Sequence, residues 1–259
     1  MTGALLHTFT GSAPSELLGV SVSDAGDVNN DGYDDLIVGT HKSLDFVGFG
    51  RAYVFSGLTG GVLYTLNGEV LHDYFGNSVS DAGDVNNDGY DDFVVGAPLY
   101  VLGGVEQRGR AYVYSGLTGL PLYVFDGEIS TIQFGVSVSG TGDVNGDCFD
   151  DVIIGADKFS PPGGNWNGKA YVYSGQSGAL INDFTGADFF YQFGYSVSGG
   201  GDANNDGFAD VVIGTFTWSA VQVEGRAYVY YLGGLCGNFI CGDANNDQTG
   251  MNILDLTFL

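Results

Sequence analysis

Four acidic nine-residue segments of one pattern are the part of this chain best suited to chemistry. They read DVNNDGYDD at 27–35 and at 84–92, DVNGDCFDD at 143–151 and DANNDGFAD at 202–210. Oxygen-bearing side chains occupy the first, third, fifth and ninth positions, and a backbone carbonyl is available at the seventh. Calcium loops use such an alternation of oxygen ligands, with glycine at the sixth position where the chain turns sharply. The pattern predicts four calcium loops, which we number 1 to 4.

The carboxylates within one loop would repel each other without a cation. Two unit charges about 4 Å apart repel by about 1 kcal/mol in water and by about 4 kcal/mol near a protein surface. A divalent ion in each loop would relieve this repulsion, so we expect Ca2+ to be part of the folded structure. The predicted ligands are Asp27, Asn29, Asp31, Tyr33 and Asp35 in loop 1, Asp84, Asn86, Asp88, Tyr90 and Asp92 in loop 2, Asp143, Asn145, Asp147, Phe149 and Asp151 in loop 3, and Asp202, Asn204, Asp206, Phe208 and Asp210 in loop 4.

The composition excludes some partners. The 259 residues include 31 acidic and 7 basic residues, which gives a formal net charge of −24. Nucleic acids and anionic membranes require clustered Lys and Arg, so neither is an expected partner. No apolar run is long enough to span a membrane, and the first residues lack the pattern of a signal peptide. We expect an extracellular protein whose export signal is missing from this sequence.

The three cysteines bear on the same question. Cys236 and Cys241 are close enough in sequence to form a disulfide in an oxidising compartment, or they are two free thiols. Cys148 stands alone in loop 3. Millimolar extracellular calcium would saturate sites of modest affinity, which also favours secretion.

An internal repeat organises most of the chain. Four short segments recur in the same order about every 58 residues, exemplified by GNSVS, DFVVG, GRAYVYSG and GLPLYVF around loop 2. Their lengths and compositions are those of β-strands, and a regular succession of four antiparallel strands is typical of a propeller blade. The predicted fold is all-β: a β-propeller of four four-stranded antiparallel blades.

The register of the ends predicts how the ring closes. The opening segment TGALLHTF resembles the fourth strand of the repeat, whereas the last repeat ends after its third strand. Pairing residues 4–9 with residues 226–231 would complete the fourth blade and close a four-bladed ring. The alternative is a larger ring, completed by further sequence or by a second copy. The surplus strand or the C-terminal tail would also permit self-association.

The combined motifs FGxSVS, DxNxDGxxD and GRAYVYSG resemble the FG-GAP repeat of integrin alpha-subunit propellers and related bacterial extracellular proteins. The resemblance covers roughly residues 4–232. It implies a propeller whose loop between the first two strands of a blade binds calcium. The sequence departs from this pattern in having four repeats, where integrin-type rings usually have seven blades. It also has Cys148 in place of the usual glycine in loop 3.

The last residues differ from the repeat and predict a second region. We divide the chain into a propeller at 1–235 and a tail at 236–259. GDANND followed by NILDLTFL resembles one half of a dockerin, a short EF-like calcium loop that leads into a helix. Asp243, Asn245 and Asp247 match its first three ligands, which would give a fifth Ca2+. Only one of the two segments that a dockerin needs is present.

The two ends of such blades predict different roles. Successive connections alternate between the ends, so the acidic loops and the SGLTG-type turns share one face. The connections on the opposite face vary in length and sequence, as recognition loops on a rigid scaffold do. Aromatic side chains there suit sugars or protein partners, or they cover the ends of the blades. The candidate ligand-binding residues are Trp166, Trp218, Tyr100 and Phe46.

Four basic residues occupy equivalent positions at the start of the third strand of each repeat. We expect their stems to cover apolar surface and their heads to pair with the eighth-position aspartates of the loops, rather than to form an anion site. The basic residues are Arg51, Arg110, Lys169 and Arg226, and the aspartates are Asp34, Asp91 and Asp150.

The sequence favours a non-enzymatic function. His7, His41 and His72 occupy different places in the repeat and lie near no repeated nucleophile, and the patterned carboxylates are assigned to calcium. We predict a secreted calcium-binding module for adhesion, binding or assembly, with a glycan or an extracellular protein as its ligand. The alternative is the accessory propeller of a polysaccharide-degrading enzyme whose catalytic domain lies outside this chain.

Overall fold

The computed structural model describes residues 3–12, 16–42, 49–104, 106–129, 132–164, 166–187, 192–216 and 225–232. These residues form β-strands and connections, and no helix is found among them. The strands are β1 (Glu16–Gly26), β2 (Asp35–Lys42), β3 (Arg51–Phe55), β4 (Val62–Asn67), β5 (Ser78–Gly83), β6 (Asp92–Ala97), β7 (Val101–Leu102), β8 (Glu106–Gln107), β9 (Arg110–Tyr114), β10 (Pro121–Asp126), β11 (Val138–Gly142), β12 (Asp151–Ala156), β13 (Lys169–Tyr173), β14 (Leu180–Thr185), β15 (Phe193–Gly201), β16 (Asp210–Thr215) and β17 (Arg226–Tyr230).

The strands form four antiparallel sheets in a propeller-like arrangement, and we call each sheet a blade. Blades 1 and 3 have the orders β1-β2-β3-β4 and β11-β12-β13-β14, and blade 2 has the order β5-β6-β9-β10. Blade 4 has three strands, β15-β16-β17, among the described residues. The pair β7–β8 is a small separate hairpin in the connection between β6 and β9 of blade 2. The all-β prediction is confirmed, as is the four-stranded antiparallel blade in the first three repeats.

The position of a strand within its blade explains its residue pattern. The second strands β6 and β12 are buried along their whole length, as the apolar runs FVVG and VIIG after their first aspartate predict. The fourth strands β4, β10 and β14 lie at the edge and are half-exposed. Burial also depends on the neighbouring blade: the same pentapeptide RAYVY is buried in β9 and largely exposed in β17.

The hydrophobic core lies between successive blades. One cluster joins blades 1 and 2 and includes Ile37 and Phe93, and a second joins blades 2 and 3 and includes Val94 and Ile154. A third cluster joins blades 3 and 4. Each blade is therefore stabilised chiefly by apolar surface that it shares with its neighbours in the sequence.

The phenylalanine and glycine at the start of blades 2, 3 and 4 explain how closely the blades pack. Phe134 is buried, and its ring lies edge-on against Tyr171 with 5.2 Å between centroids. Phe75 makes the same contact with Tyr112 at 5.3 Å. Gly194, the glycine of the pair in blade 4, lies against Gly155 in β12 of blade 3. A Cβ atom on Gly155 would lie only 2.0 Å from the carbonyl oxygen of Gly194. The approach of the two backbones thus requires a glycine at this position.

The predicted closure of the ring by residues 4–9 is wrong for this structure. Residues 3–12 contain no strand, and the described partner of β17 is β16 alone. The N-terminal segment instead packs on blade 1, where Phe9 stacks on Phe55 at 4.0 Å. Phe125 of blade 2 stacks on Tyr173 of blade 3 in the same way, at 4.1 Å. The segment therefore occupies the place of a fourth strand before blade 1, and no closed ring is found among the described residues. Self-association through this segment or the tail stays a prediction.

Replacing Phe134 by alanine should lower the free energy of unfolding by about 3–5 kcal/mol, because it removes a buried ring and leaves a cavity between blades 2 and 3. Urea unfolding followed by tryptophan and tyrosine fluorescence measures the change. Leu120→Ala is the control, because Leu120 is exposed in a turn and should change stability by less than about 0.5 kcal/mol. Equal effects of the two substitutions would contradict a core located between the blades.

Candidate functional site

The four acidic loops connect the first and second strands of each blade and share one backbone conformation. Their fourth and sixth residues have positive φ angles, which glycine and asparagine adopt most readily. The angles are 54°, 56°, 79° and 60° at Asn30, Asn87, Gly146 and Asn205, and 87°, 86°, 69° and 92° at Gly32, Gly89, Cys148 and Gly207. Cys148 therefore adopts the turn conformation, as predicted. The role of the fourth position was missed, although Asn or Gly in all four loops is its signal.

The first and fifth aspartates hold the loop backbone in place. In loop 2, Asp84 Oδ1 accepts a hydrogen bond from the N–H of Asp88 at 3.0 Å, and its Oδ2 accepts one from the N–H of Gly89 at 2.8 Å. Asp88 Oδ1 accepts from the N–H of Tyr90 at 3.1 Å. The same bonds recur in loops 1, 3 and 4. The acidic side chains are thus turned toward the interior of the loop.

The ninth aspartate joins the acidic loop to the turn between the third and fourth strands. Asp92 is fully buried; its Oδ1 accepts from the N–H of Gly116 at 2.9 Å, and its Oδ2 accepts from the N–H of Val85 at 3.1 Å. Asp151 makes the equivalent bonds in blade 3. These contacts confirm that the acidic loops and the SGLTG-type turns share one face. Burial raises the pKa of Asp92 and of Asp151 to about 7, and neighbouring loop aspartates raise it further while the backbone N–H groups lower it.

The loops offer oxygen ligands, but their carboxylates are not gathered into a ready cluster. No group of three or more His, Cys, Asp or Glu side chains is arranged to hold a metal ion in the described part of the chain. Each carboxylate oxygen has two lone pairs, so one bond to a backbone N–H leaves it able to accept another partner. In loop 2, Asn86 Oδ1 is buried and has no hydrogen-bond partner. An acceptor left unsatisfied at the third position fits a hard cation.

The eighth aspartates have a different role from the one predicted. Asp91 Oδ2 accepts a hydrogen bond from the N–H of Asp27 at 2.7 Å, so loop 2 is tied to loop 1. Asp150 Oδ2 accepts from the N–H of Asp84 at 3.0 Å and ties loop 3 to loop 2. Their predicted pairing with the basic residues of the third strands is therefore wrong. The carboxylates instead link one blade to the next.

The basic residues pair with other carboxylates at the opposite end of the blades. Arg110 Nη1 lies 2.8 Å from Glu69 Oε2, and its Nε lies 2.6 Å from Asp126. Lys169 Nζ lies 2.8 Å from Glu128. The structural role predicted for the basic residues is supported, with these different partners. The GE dipeptides at 68–69 and 127–128 are the sequence signal that could have located them.

The cysteines and the tail differ in how far the structure describes them. Cys148 is disulfide-bonded, so it does not stand alone as the sequence suggested. Cys236 and Cys241 lie outside the described residues. The same holds for the dockerin-like tail at 236–259, with its loop, its helix and the predicted ligands Asp243, Asn245 and Asp247.

Of the four predicted ligand-binding aromatic residues, two lie in the described part of the chain. Trp166 is 44% exposed. Tyr100 is only 8% exposed, and the Arg110 guanidinium lies 3.8 Å from its ring centroid. Its ring is therefore occupied, and a ligand contact through Tyr100 does not fit the structure. Trp218 and Phe46 lie outside the described residues.

The end of the blades opposite the acidic loops carries the connections that differ from blade to blade, and we call it the variable face. A cleft of about 510 Å3 lies there, where the loops of blades 3 and 4 meet. We call it the blade 3–4 cleft. Its residues are Gln133, Val136, Asp157, Lys158, Trp166, Gln192, Tyr195 and Phe216. The rings of Tyr195 and Phe216 are stacked with centroids 5.1 Å apart. Most of these residues were missed in the sequence, although Tyr195 is aromatic where the preceding blades have Asn77 and Val136.

Asp157 is the one acid of the blade 3–4 cleft, and it is held in an unfavourable environment. Asp157 is only 2% exposed, and its Oδ1 has no hydrogen-bond partner among the described residues. Burial raises its pKa to about 6, against the opposing effects of the Lys158 ammonium and of backbone N–H groups. An incompletely satisfied buried carboxylate destabilises the fold and is typical of functional sites.

The fold and the acidic loops together define a propeller-like repeat protein. Residues 19–55, 75–114, 134–173 and 193–230 match the FG-GAP repeat family. These matches cover more than half of the sequence, and each begins near the first strand of a blade. The chain belongs to the FG-GAP repeat family.

Several integrin alpha chains are similar in sequence. Integrin alpha-5 of Xenopus laevis is 33% identical over 229 residues, which are 82% of this chain and 21% of that protein. Integrin alpha-E of Mus musculus is 37% identical over 186 residues, which are 63% of this chain and 15% of that protein. The chain thus spans about a fifth of the length of these relatives.

A solved structure shares the fold. The crystal structure of Saccharomyces cerevisiae Sqt1 superimposes with a TM-score of 0.51 at 14% sequence identity, covering 83% of this chain and 46% of that one. The described part of the chain contains no helical segment that could cross a membrane.

Replacing Asp157 by asparagine should raise the free energy of unfolding at pH 7 by about 1–2 kcal/mol. The native pKa lies above the ordinary value, so the ionised carboxylate destabilises the fold above about pH 6, and this effect fades as the pH falls toward 4. Urea unfolding of both proteins at pH 7 and pH 4 measures the difference, which should be largest at pH 7. An asparagine variant that is less stable at pH 7 would contradict the assigned environment.

Proposed function

We propose that this chain is an extracellular, non-catalytic binding module whose acidic loops hold structural Ca2+ and whose variable face binds the ligand. The repeated hydrogen-bonded geometry of the four loops is the observation that carries the proposal. The similarity to integrin alpha chains supports a role in adhesion and an extracellular location. The carboxylates with the clearest pattern stabilise loops and blades, which leaves them unsuited to acid–base catalysis.

In each loop, the side chains of the first, third, fifth and ninth residues and the carbonyl of the seventh would bind the ion. Three observations support this assignment: the positive φ angles, the carboxylates turned into the loop, and the unsatisfied Asn86 Oδ1. A cation there would offset the negative charge of the loops and stiffen the end of the blades that carries the inter-blade hydrogen bonds.

Removal of calcium should lower the melting temperature by about 10 °C or more. An ion that binds only the folded state adds about 2.7 kcal/mol per site when its free concentration is 100 times Kd. Calorimetry in 2 mM CaCl2 and in excess EGTA, over this chain's melting transition, measures the shift. An unchanged melting temperature in EGTA would refute structural calcium.

Loop 2 provides the matched variant for this test. Asp84→Asn combined with Asp88→Asn keeps one side-chain oxygen acceptor at each position while removing two charges. Equilibrium dialysis with 45Ca2+ should give one bound ion fewer per chain than the unsubstituted protein. Asp24→Asn is the control, because Asp24 lies in β1 outside the loops and should leave the count unchanged. Loss of no ion in the loop 2 variant would refute these ligands.

The variable face is the proposed ligand-binding surface. It carries the salt-bridged ends of the third strands, the β7–β8 hairpin and the blade 3–4 cleft. The opposite end carries the acidic loops, which repeat from blade to blade, and we call it the calcium face. Binding loops placed on a rigid scaffold are the usual arrangement for recognition. A glycan and an extracellular protein are both compatible with this surface.

Blocking one face of the protein at a time tests where the ligand binds. A polyethylene glycol chain on Glu106→Cys would cover the variable face, and the same chain on Leu117→Cys would cover the calcium face; both positions are exposed. Binding to arrays of purified matrix proteins and oligosaccharides should fall at least about 10-fold for the first conjugate and stay unchanged for the second. The unsubstituted protein, treated identically, gives the baseline. Loss of binding only in the Leu117 conjugate would overturn the proposal.

A further inference from the structure

The blade 3–4 cleft differs from the corresponding surfaces of the earlier blades in its aromatic content. Trp166, Tyr195 and Phe216 are each between 44% and 48% exposed, although large apolar side chains are usually buried. At the positions equivalent to Tyr195 and Phe216, blade 2 has Asn77 and Pro98. The scaffold therefore does not require aromatic residues here. Their concentration at one junction indicates a surface that an apolar or amphipathic ligand covers.

The polar groups of the cleft are acceptors and amides rather than a cationic patch. Asp157 is buried beneath the surface, and its Oδ1 has no partner among the described residues. An ionised carboxylate accepts hydrogen bonds and donates none, so the missing partner must be a donor such as a hydroxyl group. Gln133 and Gln192 add side-chain amides that can both donate and accept. Lys158 is the one basic residue of the cleft.

The volume of the cleft, about 510 Å3, falls in the range of roughly 300–1,000 Å3 that is typical of small-molecule sites. A sugar ring has an apolar C–H face that packs on aromatic rings and a rim of hydroxyl donors. These two properties match the aromatic surface and the unsatisfied carboxylate. The formal charge of −24 opposes the approach of anionic sugars.

We propose that the blade 3–4 cleft binds a neutral sugar unit of a glycan, with the aromatic side chains packed against the ring and Asp157 accepting its hydroxyl groups. This inference rests on the proposed function and specifies the ligand class of its variable face. The pair Tyr195 and Phe216 forms one wall and Trp166 contributes the exposed indole. Asp157 lines the cleft, and its Oδ1 has no donor among the described residues, so a sugar hydroxyl group that supplies one would set the orientation of the ring.

An oligosaccharide array tests the ligand class, with neutral hexose and pentose oligosaccharides beside sialylated and sulfated ones, at pH 7 in CaCl2. Neutral glycans should bind and the anionic ones should not. Titration calorimetry with the strongest neutral oligosaccharide then compares variants. Trp166→Ala and Asp157→Asn should each raise Kd at least about 10-fold. Tyr231→Ala is the matched control, because this aromatic residue is exposed outside the cleft and its removal should leave Kd unchanged.

The stability of each variant separates loss of binding from loss of folding. Asp157→Asn should bind more weakly while its melting temperature is unchanged or raised, because the substitution removes a buried charge that lacks a partner. A purely structural Asp157 would give the opposite change in melting temperature. The inference is overturned if no neutral oligosaccharide binds, or if both cleft variants bind as tightly as the unsubstituted protein. Binding of a matrix protein without any sugar would overturn this inference and leave the proposed function intact.

Discussion

The buried ninth aspartate of each acidic loop is the constraint on which the blades depend. In blades 1 to 3 its two oxygens accept backbone N–H groups from two different hairpins, as Asp92 does from Val85 and Gly116. Those N–H groups would otherwise be buried without partners, which costs about 1–3 kcal/mol each. The first two strands and the last two strands of a blade are thereby fixed to each other at one end. The same residue is a proposed calcium ligand, so the ion and the strand registry would be coupled through a single side chain.

Contacts between blades extend this order along the chain. Asp91 and Asp150 tie neighbouring loops together, and the hydroxyl of Tyr64 donates to the carbonyl of Gly116 at 2.6 Å across the same boundary. The phenylalanine of each FG pair fills the space between the sheets. These contacts lie in the core and at the end of the blades that carries the acidic loops, whereas the opposite end is joined mainly by ion pairs such as Arg110–Glu69 and Lys169–Glu128. That end can therefore differ from blade to blade, and the blade 3–4 cleft is one result of that freedom.

Local patterns allowed much of this structure to be predicted. The strands, the loop positions and the conformation of Cys148 all follow from residue types within a few positions of each other. The partners of Arg110 and Lys169, the burial of Tyr100 and the position of residues 3–12 do not, because each depends on which blade lies alongside. The cleft was missed for the same reason: Asp157 and Tyr195 are far apart in sequence and belong to different blades. The residues that recur in every repeat therefore allow the fold to be predicted. The roles of residues that differ between repeats can be assigned only when their neighbours in three dimensions are known.

The contrasting burial of identical segments has a consequence for sequence change. Val113 of β9 is fully buried, whereas Val229, at the same place in the RAYVY of β17, is 60% exposed. Each repeat gains apolar stabilisation only from the sheet that covers it, as in other linear arrays. One amino-acid replacement made at these equivalent positions will therefore destabilise the protein strongly in blade 2 and only slightly in blade 4, so sequences can diverge more freely in β17 than in β9.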